Sequence, residues 1–274
     1  MAELQPADLS FIAQFLRERS GLVVSADKGY LVESRLAPLA RRAKLASIGE
    51  LIALLRSGSD QALARQVVEA MTTNESFFFR DNKPFDHFKA VVLPHMLKER
   101  AAKKSLRIWC AAASTGQEPY SIAMLLKDAA AQLAGWRVEI IGTDLSREVL
   151  ERARSGMFSQ FEVQRGLPVT LLVKYFAKTD ELWQIDAGLR SMVSFREFNL
   201  LDDPRSLGQF DVVFCRNVLI YFDQPTKGKV LDGIAKLMPD DGYLYLGGSE
   251  TVLGVTNSFG LGTNERGVYR PVRK

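Results

Sequence analysis

Cysteine and histidine are nearly missing from this chain of 274 residues, which has two of each. Cys110 and Cys215 both sit in apolar runs, so neither a disulfide framework nor a thiolate zinc site is expected, and both read as small core residues. His87 and His95 bring no cluster of further ligands with them, so no metal is expected. Nowhere do about 18 apolar residues run together, which excludes an ordinary transmembrane helix and predicts no direct membrane insertion. The opening MAELQPADLSF has neither the basic nor the apolar region of a secretory signal, and the expected location is cytoplasmic. Repeats and low-complexity segments are absent as well. Net charge is small, +4, and there is no extended basic surface interleaved with aromatics of the kind that binds nucleic acid.

What is present suits a soluble globular chain of one large or two smaller domains, 47% hydrophobic and 25% charged. The charge is unevenly placed. Between Ser34 and Gly49 lie Arg35, Arg41, Arg42 and Lys44 without one acid. A solvated helix face accounts for any single one of these, but four unbalanced charges point to an anionic partner. Residues 1–75 read as a small helical domain, with apolar residues at helical spacing in Leu9 to Leu16, Leu51 to Leu55 and Leu63 to Val68. Ser47 with Glu50 is a capping-box signature. MTTNESFFFR, Met71 to Arg80, then breaks the pattern as a junction to a second domain over 76–274. Packing accounts for Phe77 to Phe79 better than for Asn74, Ser76 and Arg80.

The stretch Arg107 to Ala123, RIWCAAASTGQEPYSIA, organises the second domain. An apolar run suited to a strand covered on both faces meets a turn, Ala111 to Gly116, in which nothing is larger than threonine; Pro119 fits the first helical position. Such a turn lets a ligand lie against backbone, with the helix N-terminus and Glu118 at its edge. RVEIIGTD, Arg137 to Asp144, follows as a second strand ending in an acid, the arrangement in which a carboxylate holds the ribose hydroxyls of a nucleoside; Asp144 can equally cap the next helix. Further on, Glu181 to Ile185 and Met192 to Phe198 read as two paired strands of a small antiparallel insertion at about 165–197. Asn199 to Pro204 is a polar loop, and FDVVFC, Phe210 to Cys215, is a buried strand followed at once by Arg216 and Asn217. Lys229 to Leu237 reads as helix, Gly242 to Gly247 as strand, Gly248 to Asn264 as loop and Gly267 to Val272 as the last strand.

This α/β order, with a last strand inserted antiparallel, suits the doubly wound, mostly parallel sheet of class I S-adenosylmethionine-dependent methyltransferases. TTNESFFFR, AAASTGQEPYSIA, GTDLSREVLERARSGMF, FNLLDD and FDVVFCRNVLIYFD together resemble the CheR family, which methylates glutamates on bacterial chemotaxis receptors. Of the general methyltransferase glycines only Gly116 remains, with Ala112 and Ser114 in place of the others, a variant the family shares. The resemblance implies S-adenosyl-L-methionine as cofactor and S-adenosyl-L-homocysteine as product. It matches Asn74, Ser76, Arg80, Glu118, Asp144, Asn199, Leu200, Arg216 and Asn217 to cofactor contacts, and Arg80 and Tyr221 to positions beside the transferred methyl. Ser76 stands where many relatives carry threonine. It further implies that Arg35, Arg41, Arg42 and Lys44 dock the acidic helical methylation region of a methyl-accepting receptor. The small β subdomain is one that, in some members, binds a receptor's C-terminal tail peptide by adding it to the sheet edge.

The chemistry is sensible without the family. A glutamate carboxylate, with an ordinary pKa of about 4.3, is already ionised at neutral pH, so methyl transfer to it needs no general base and the shortage of histidine and cysteine is no objection. Three other readings compete: a nucleic-acid base methyltransferase, weakened by the missing Pro-Pro of such base pockets; a non-catalytic S-adenosylmethionine-binding adaptor, opposed by retention of Arg80 and Tyr221; and an NAD-dependent oxidoreductase, poorly matched by a glycine-poor loop.

Overall fold

A computed structural model describes residues 4–262 and 265–272. Packing divides the chain into two units, residues 1–73 with 221–226, and residues 74–220 with 227–274.

The first unit is helical: α1 (Pro6–Ser20), α2 (Gly29–Arg42), α3 (Ile48–Ser57) and α4 (Gln61–Met71). Each buries one stripe at helical spacing, Ile12 and Leu16 from α1, Val32 and Leu36 from α2, Leu51 and Leu55 from α3, Val67 and Met71 from α4. Ser47 caps α3 by accepting the Glu50 N–H at 3.2 Å, but the Glu50 carboxylate reaches back to the N–H of Ala46 rather than that of Ser47. Residues 221–226 join this unit through a hydrogen bond from Val23 N–H to the Tyr221 carbonyl (2.9 Å) and an ion pair of Arg17 with Asp223 (2.6 Å).

The second unit opens with α5 (Lys83–His87), which runs through one wider turn, Phe88–Val92, into α6 (Leu93–Glu99). Then follow β1 (Ser105–Ala111), α7 (Gln117–Asp128), β2 (Arg137–Asp144), α8 (Arg147–Ser155), β3 (Met157–Ser159), α9 (Gln160–Gln164), α10 (Val169–Tyr175), β4 (Phe176–Thr179), β5 (Leu182–Ile185), α11 (Ala187–Arg190) and β6 (Val193–Glu197). The chain finishes with β7 (Val212–Cys215), α12 (Gln224–Ala235), β8 (Tyr243–Leu246), β9 (Phe259–Leu261) and β10 (Val268–Pro271). Seven strands form one sheet in the order β6-β2-β1-β7-β8-β10-β9, parallel from β6 to β8, with β10 antiparallel between β8 and β9. This is the expected doubly wound architecture with its inserted antiparallel strand. The central strands are continuous apolar runs because both their faces are covered; all four residues of β7 and of β8 are buried.

Three expectations change. Met192 to Phe198 does not pair with Glu181 to Ile185: β6 lies at the edge of the large sheet, parallel to β2, while the small sheet is β3-β5-β4 and draws its third strand from residues 157–159. Short alternating runs fit either sheet, and only long-range pairing decides between them. The expected loop from Gly248 contains β9, a strand formed by pairing with β10; its composition, with Gly260 and a largely exposed Leu261, reads as loop. Thr263 and Asn264, the end of that expected loop, lie outside the described residues. Pro119 is the third helical residue rather than the first, since α7 starts at Gln117 after Gly116, and in that first turn a missing N–H is equally harmless.

Registers bring the strand ends level. Ala111 pairs with both Thr143 and Cys215, and Asp144 pairs with Glu197. The C-terminal ends of β1, β2, β6, β7 and β8 thus form one rim, the place where open α/β sheets bind ligands.

Candidate functional site

The turn after β1 is forced rather than relaxed. Ala112 (φ 56°), Ser114 (φ 50°) and Gly116 (φ 95°) alternate in the left-handed region, which costs non-glycine residues roughly 1–2 kcal/mol each. A Cβ on Gly116 would stand 3.1 Å from Ala153, Phe195 and Tyr120, so position and conformation both require glycine. Hydrogen bonds hold the turn in place: Ala113 N–H donates to the Thr143 carbonyl (2.8 Å), Ser114 N–H to Asp144 Oδ2 (2.9 Å), and Ser114 Oγ to the Asn74 carbonyl (2.8 Å). Asp144 Oδ1 accepts the Ser146 N–H at 3.0 Å, so two backbone donors fix the plane of this buried carboxylate. The cap of α8 is Ser146, which leaves Asp144 directed at the β1 turn. Phe198 N–H donates to the Asp144 carbonyl (2.9 Å), and Asn199 Oδ1 accepts the Leu201 N–H (3.1 Å), so the half-buried Asn199 and Leu200, which follow β6, leave the sheet beside the end of β2.

The second cluster is centred on Arg216. Its side chain is only 1% exposed; Nη1 donates to Glu118 (2.8 Å), and Nη2 donates to Asp81 (2.7 Å) and to the Arg80 carbonyl (2.8 Å). Arg80 sits in a strained turn, with Phe79 (φ 50°), Asp81 (φ 69°) and Asn82 (φ 46°) all left-handed. Two anchors keep that turn: Arg216 on one side, and Ser121 Oγ accepting the Phe79 N–H at 3.0 Å on the other. The Arg80 guanidinium donates to the Glu75 carbonyl (3.0 Å) and lies 5.3 Å from the Phe77 ring centre. Phe78 and Phe79 pack inward against Phe158, Phe176 and Phe85, whereas Phe77 serves the cationic side chains of Arg80 and Arg165. Burial pushes the Glu118 carboxyl above its ordinary 4.5; Arg216 pulls it back, and the negative charge of Glu250 adds to the rise.

The rim therefore gathers Asn74, Arg80, Glu118, Asp144, Asn199, Leu200, Arg216 and Asn217, with Ser76 half-buried in the same junction segment. Tyr221 belongs to the first unit, as do Arg35, Arg41, Arg42 and Lys44. Arg35 differs from its neighbours: its guanidinium closes the end of α4, donating to the carbonyls of Met71 and Thr72 (both 2.7 Å) and to Thr73 Oγ1 (3.1 Å). Arg41, Arg42 and Lys44 are exposed. One residue escaped the sequence reading, Glu250, a buried carboxylate that accepts backbone N–H groups from the turn after β7. The only signal for it was an acid beside two glycines just past a buried strand.

These residues fit S-adenosylmethionine on the chemistry of the donor set. The turn carries no side chain larger than threonine, Asp144 is a ribose-type acceptor held rigidly at the end of β2, and Glu118 is an under-compensated carboxylate that an ammonium would satisfy. The buried Arg216 Nε has no hydrogen-bond partner among the described residues.

Two family models match the chain: the CheR methyltransferase all-alpha domain over residues 7–72 and the CheR methyltransferase SAM binding domain over residues 74–268. A chemotaxis protein methyltransferase of Pseudomonas aeruginosa is 42% identical over 251 residues, covering 90% of each chain. Chemotaxis protein methyltransferase Cher2 of Pseudomonas putida is 40% identical over 249 residues, 89% of this chain and 90% of that one. The chemotaxis protein methyltransferase of Salmonella typhimurium is 34% identical over 265 residues, 94% of this chain and 88% of its relative.

Proposed function

Because the chain belongs to the CheR methyltransferase family, we propose that it transfers a methyl group from S-adenosylmethionine to glutamate side chains on the cytoplasmic, helical region of bacterial chemoreceptors, forming methyl esters in chemotactic adaptation. The observation that carries the reading is the match of both family domains, end to end, to a chain whose sheet rim gathers the residues assigned to the cofactor. S-adenosylmethionine, when bound, supplies a methyl group activated on a sulfonium. Asp144 would hold the ribose hydroxyls, Asn199 and Leu200 would border the adenine, and Glu118 would pair with the ammonium of the methionine end; Asn74, Ser76, Arg216 and Asn217 complete the proposed contacts.

The acceptor carboxylate is ionised before it arrives, so the residues around it need to orient it and keep water out rather than take a proton. Arg80, half-buried and held over Phe77, is suited to steer that carboxylate. A tighter grip would stabilise the ground state and slow transfer. Its guanidinium donates to the Glu75 carbonyl and its main chain is pinned by Arg216, which supports orientation over tight capture. Tyr221 is proposed to add a softer hydrogen bond to the acceptor. Arg41, Arg42 and Lys44 are proposed to meet the acidic receptor face, while the Arg35 guanidinium ties α2 to the end of α4. The edges of the small sheet are a candidate platform for a receptor tail peptide.

The test offers radiolabelled S-adenosylmethionine with receptor-bearing membranes, RNA or DNA, followed by alkali. Base-labile label on receptors is the expected result. Label on nucleic acid alone, or alkali-stable label on protein, would overturn carboxyl methylation.

A further inference from the structure

We propose that Glu250 is a positioning residue of this site, its carboxylate folding the turn from Asn217 to Ile220 into the one backbone conformation that presents Asn217 to the cofactor. The inference rests on the methyltransferase reading above. Glu250 lies in the loop after β8, and its side chain is buried, 9% exposed overall. Oε2 accepts the N–H of Asn217 and of Gly247, both at 2.7 Å, while Oε1 accepts those of Val218 (3.0 Å) and Ile220 (3.3 Å). Four main-chain donors from the ends of two neighbouring strands thus converge on one carboxylate.

The turn needs such a partner. Asn217, with φ 60°, cannot continue β7, so the N–H groups after it leave the sheet ladder and, buried without a partner, would be costly. No neutral side chain substitutes well. A glutamine would aim its own NH2 at two of the four donors, and an aspartate would fall one methylene short. Room for the carboxylate exists because residue 247 is glycine: a Cβ there would stand 2.7 Å from Glu250 Oε2, 2.8 Å from the side-chain Nδ2 of Asn217 and 3.0 Å from its backbone nitrogen. Glu250 therefore acts on the site through the shape that it gives the turn after β7.

A double-mutant cycle with S-adenosylhomocysteine as the calorimetric probe tests the proposal. Asn217→Gly removes the amide while tolerating the left-handed φ. Alone, Glu250→Gln and Asn217→Gly are each expected to weaken binding by about tenfold, and the double variant by about tenfold rather than about a hundredfold, because Glu250 acts through Asn217. Additive losses would overturn the positioning role, as would a Glu250→Gln variant that binds like the parent. Should Glu250→Gln fold poorly, Glu250→Asp is taken through the same cycle with the same two outcomes. Amide exchange in the unaltered protein gives a second readout: protection at residues 217, 218, 220 and 247, with fast exchange at Gly248, supports the clamp, and uniform fast exchange sinks it. Failure of the unaltered protein to bind the probe would instead strike the methyltransferase reading itself.

Discussion

At the edge where the parallel strands begin, Arg100 lies between Asp211 and Asp241; at the edge where they end, Arg216 lies between Glu118 and Asp81. The two arrangements use the same parts and do opposite things. Arg100 grips Asp241 with both terminal nitrogens (2.7 and 2.6 Å) and Asp211 through Nε (2.7 Å), so its polar atoms are spent on carboxylates, while the other oxygen of Asp211 accepts the Arg107 N–H at 2.9 Å. Arg107 and Glu139, paired in register on β1 and β2, repeat the pattern at 2.7 Å. Arg216 divides its donors between two acids and a carbonyl and keeps Nε unused. Its acid Glu118 is pushed up by burial, whereas Arg100 holds Asp241 below its ordinary 3.8. Left-handed non-glycine residues follow the same division: Phe79, Asp81, Asn82, Ala112, Ser114 and Asn217 border the C-terminal rim, against Lys104 at the other edge. At the first edge the arginine is fully paired; the other edge gathers more strain and an arginine with incomplete compensation, as a preformed binding site does.

The sharpest way to break this comparison is Arg100→Met. It leaves Asp211 and Asp241 facing each other without their cation, and is expected to lower unfolding free energy by about 3 kcal/mol while S-adenosylhomocysteine affinity stays put. A denaturant midpoint and a calorimetric titration read the two quantities separately, and a loss of affinity would mean that the edges are coupled. Glu118→Gln should do the reverse, weakening cofactor binding by about 2 kcal/mol with little change in stability. Gln117→Ala serves as its control: Gln117 is buried and accepts from Thr115, so it should cost stability rather than affinity. Equal losses of affinity from the two variants would show that the ammonium partner has been assigned to the wrong side chain.

Acidity separates the edges by sign. Asp241 has a folded pKa below its unfolded one, so its contribution to stability is present above 3.8 and disappears as pH falls through the depressed value. Glu118 has a folded pKa above 4.5, so its contribution is complete below 4.5 and is lost as pH rises through the raised value. Ionised Glu118 is the form that meets an ammonium, so cofactor affinity should begin to fall on acidification while pH is still above 4.5, before the Arg100 network weakens. Titrating affinity and stability against pH checks the order, and simultaneous loss would refute it. The smallest effect is expected from Arg41→Glu with Arg42→Glu, exposed charges on the first unit, which should reduce receptor methylation several-fold at low salt and less at high salt, with cofactor affinity unchanged.

Much of the site was legible because strand ends carry their chemistry in sequence order. RVEIIGTD predicted β2 to the residue, and the small-residue run after RIWC marked the turn between β1 and α7. Arg216 and Asn217 stood out as polar residues directly after a buried strand. Glu250 did not, because its meaning comes from N–H groups 30 to 33 residues earlier in the chain. Arg35 looked like a member of a basic face, and only the folded chain shows its guanidinium turned onto the end of α4. The strand at 193–197 was visible as a strand, but not its partner.

By itself the sequence determined what short-range physics determines: where apolar period and small residues make strands, helices and the turn between them, and which acid ends β2. Only the tertiary structure decided which strands are neighbours, which arginine is structural and which carboxylate is left wanting a cation. Those outcomes depend on burial and on hydrogen-bond partners far away in the chain. A Glu buried beside Arg216 and one left in water are the same letter, and their difference is the solvent each has lost.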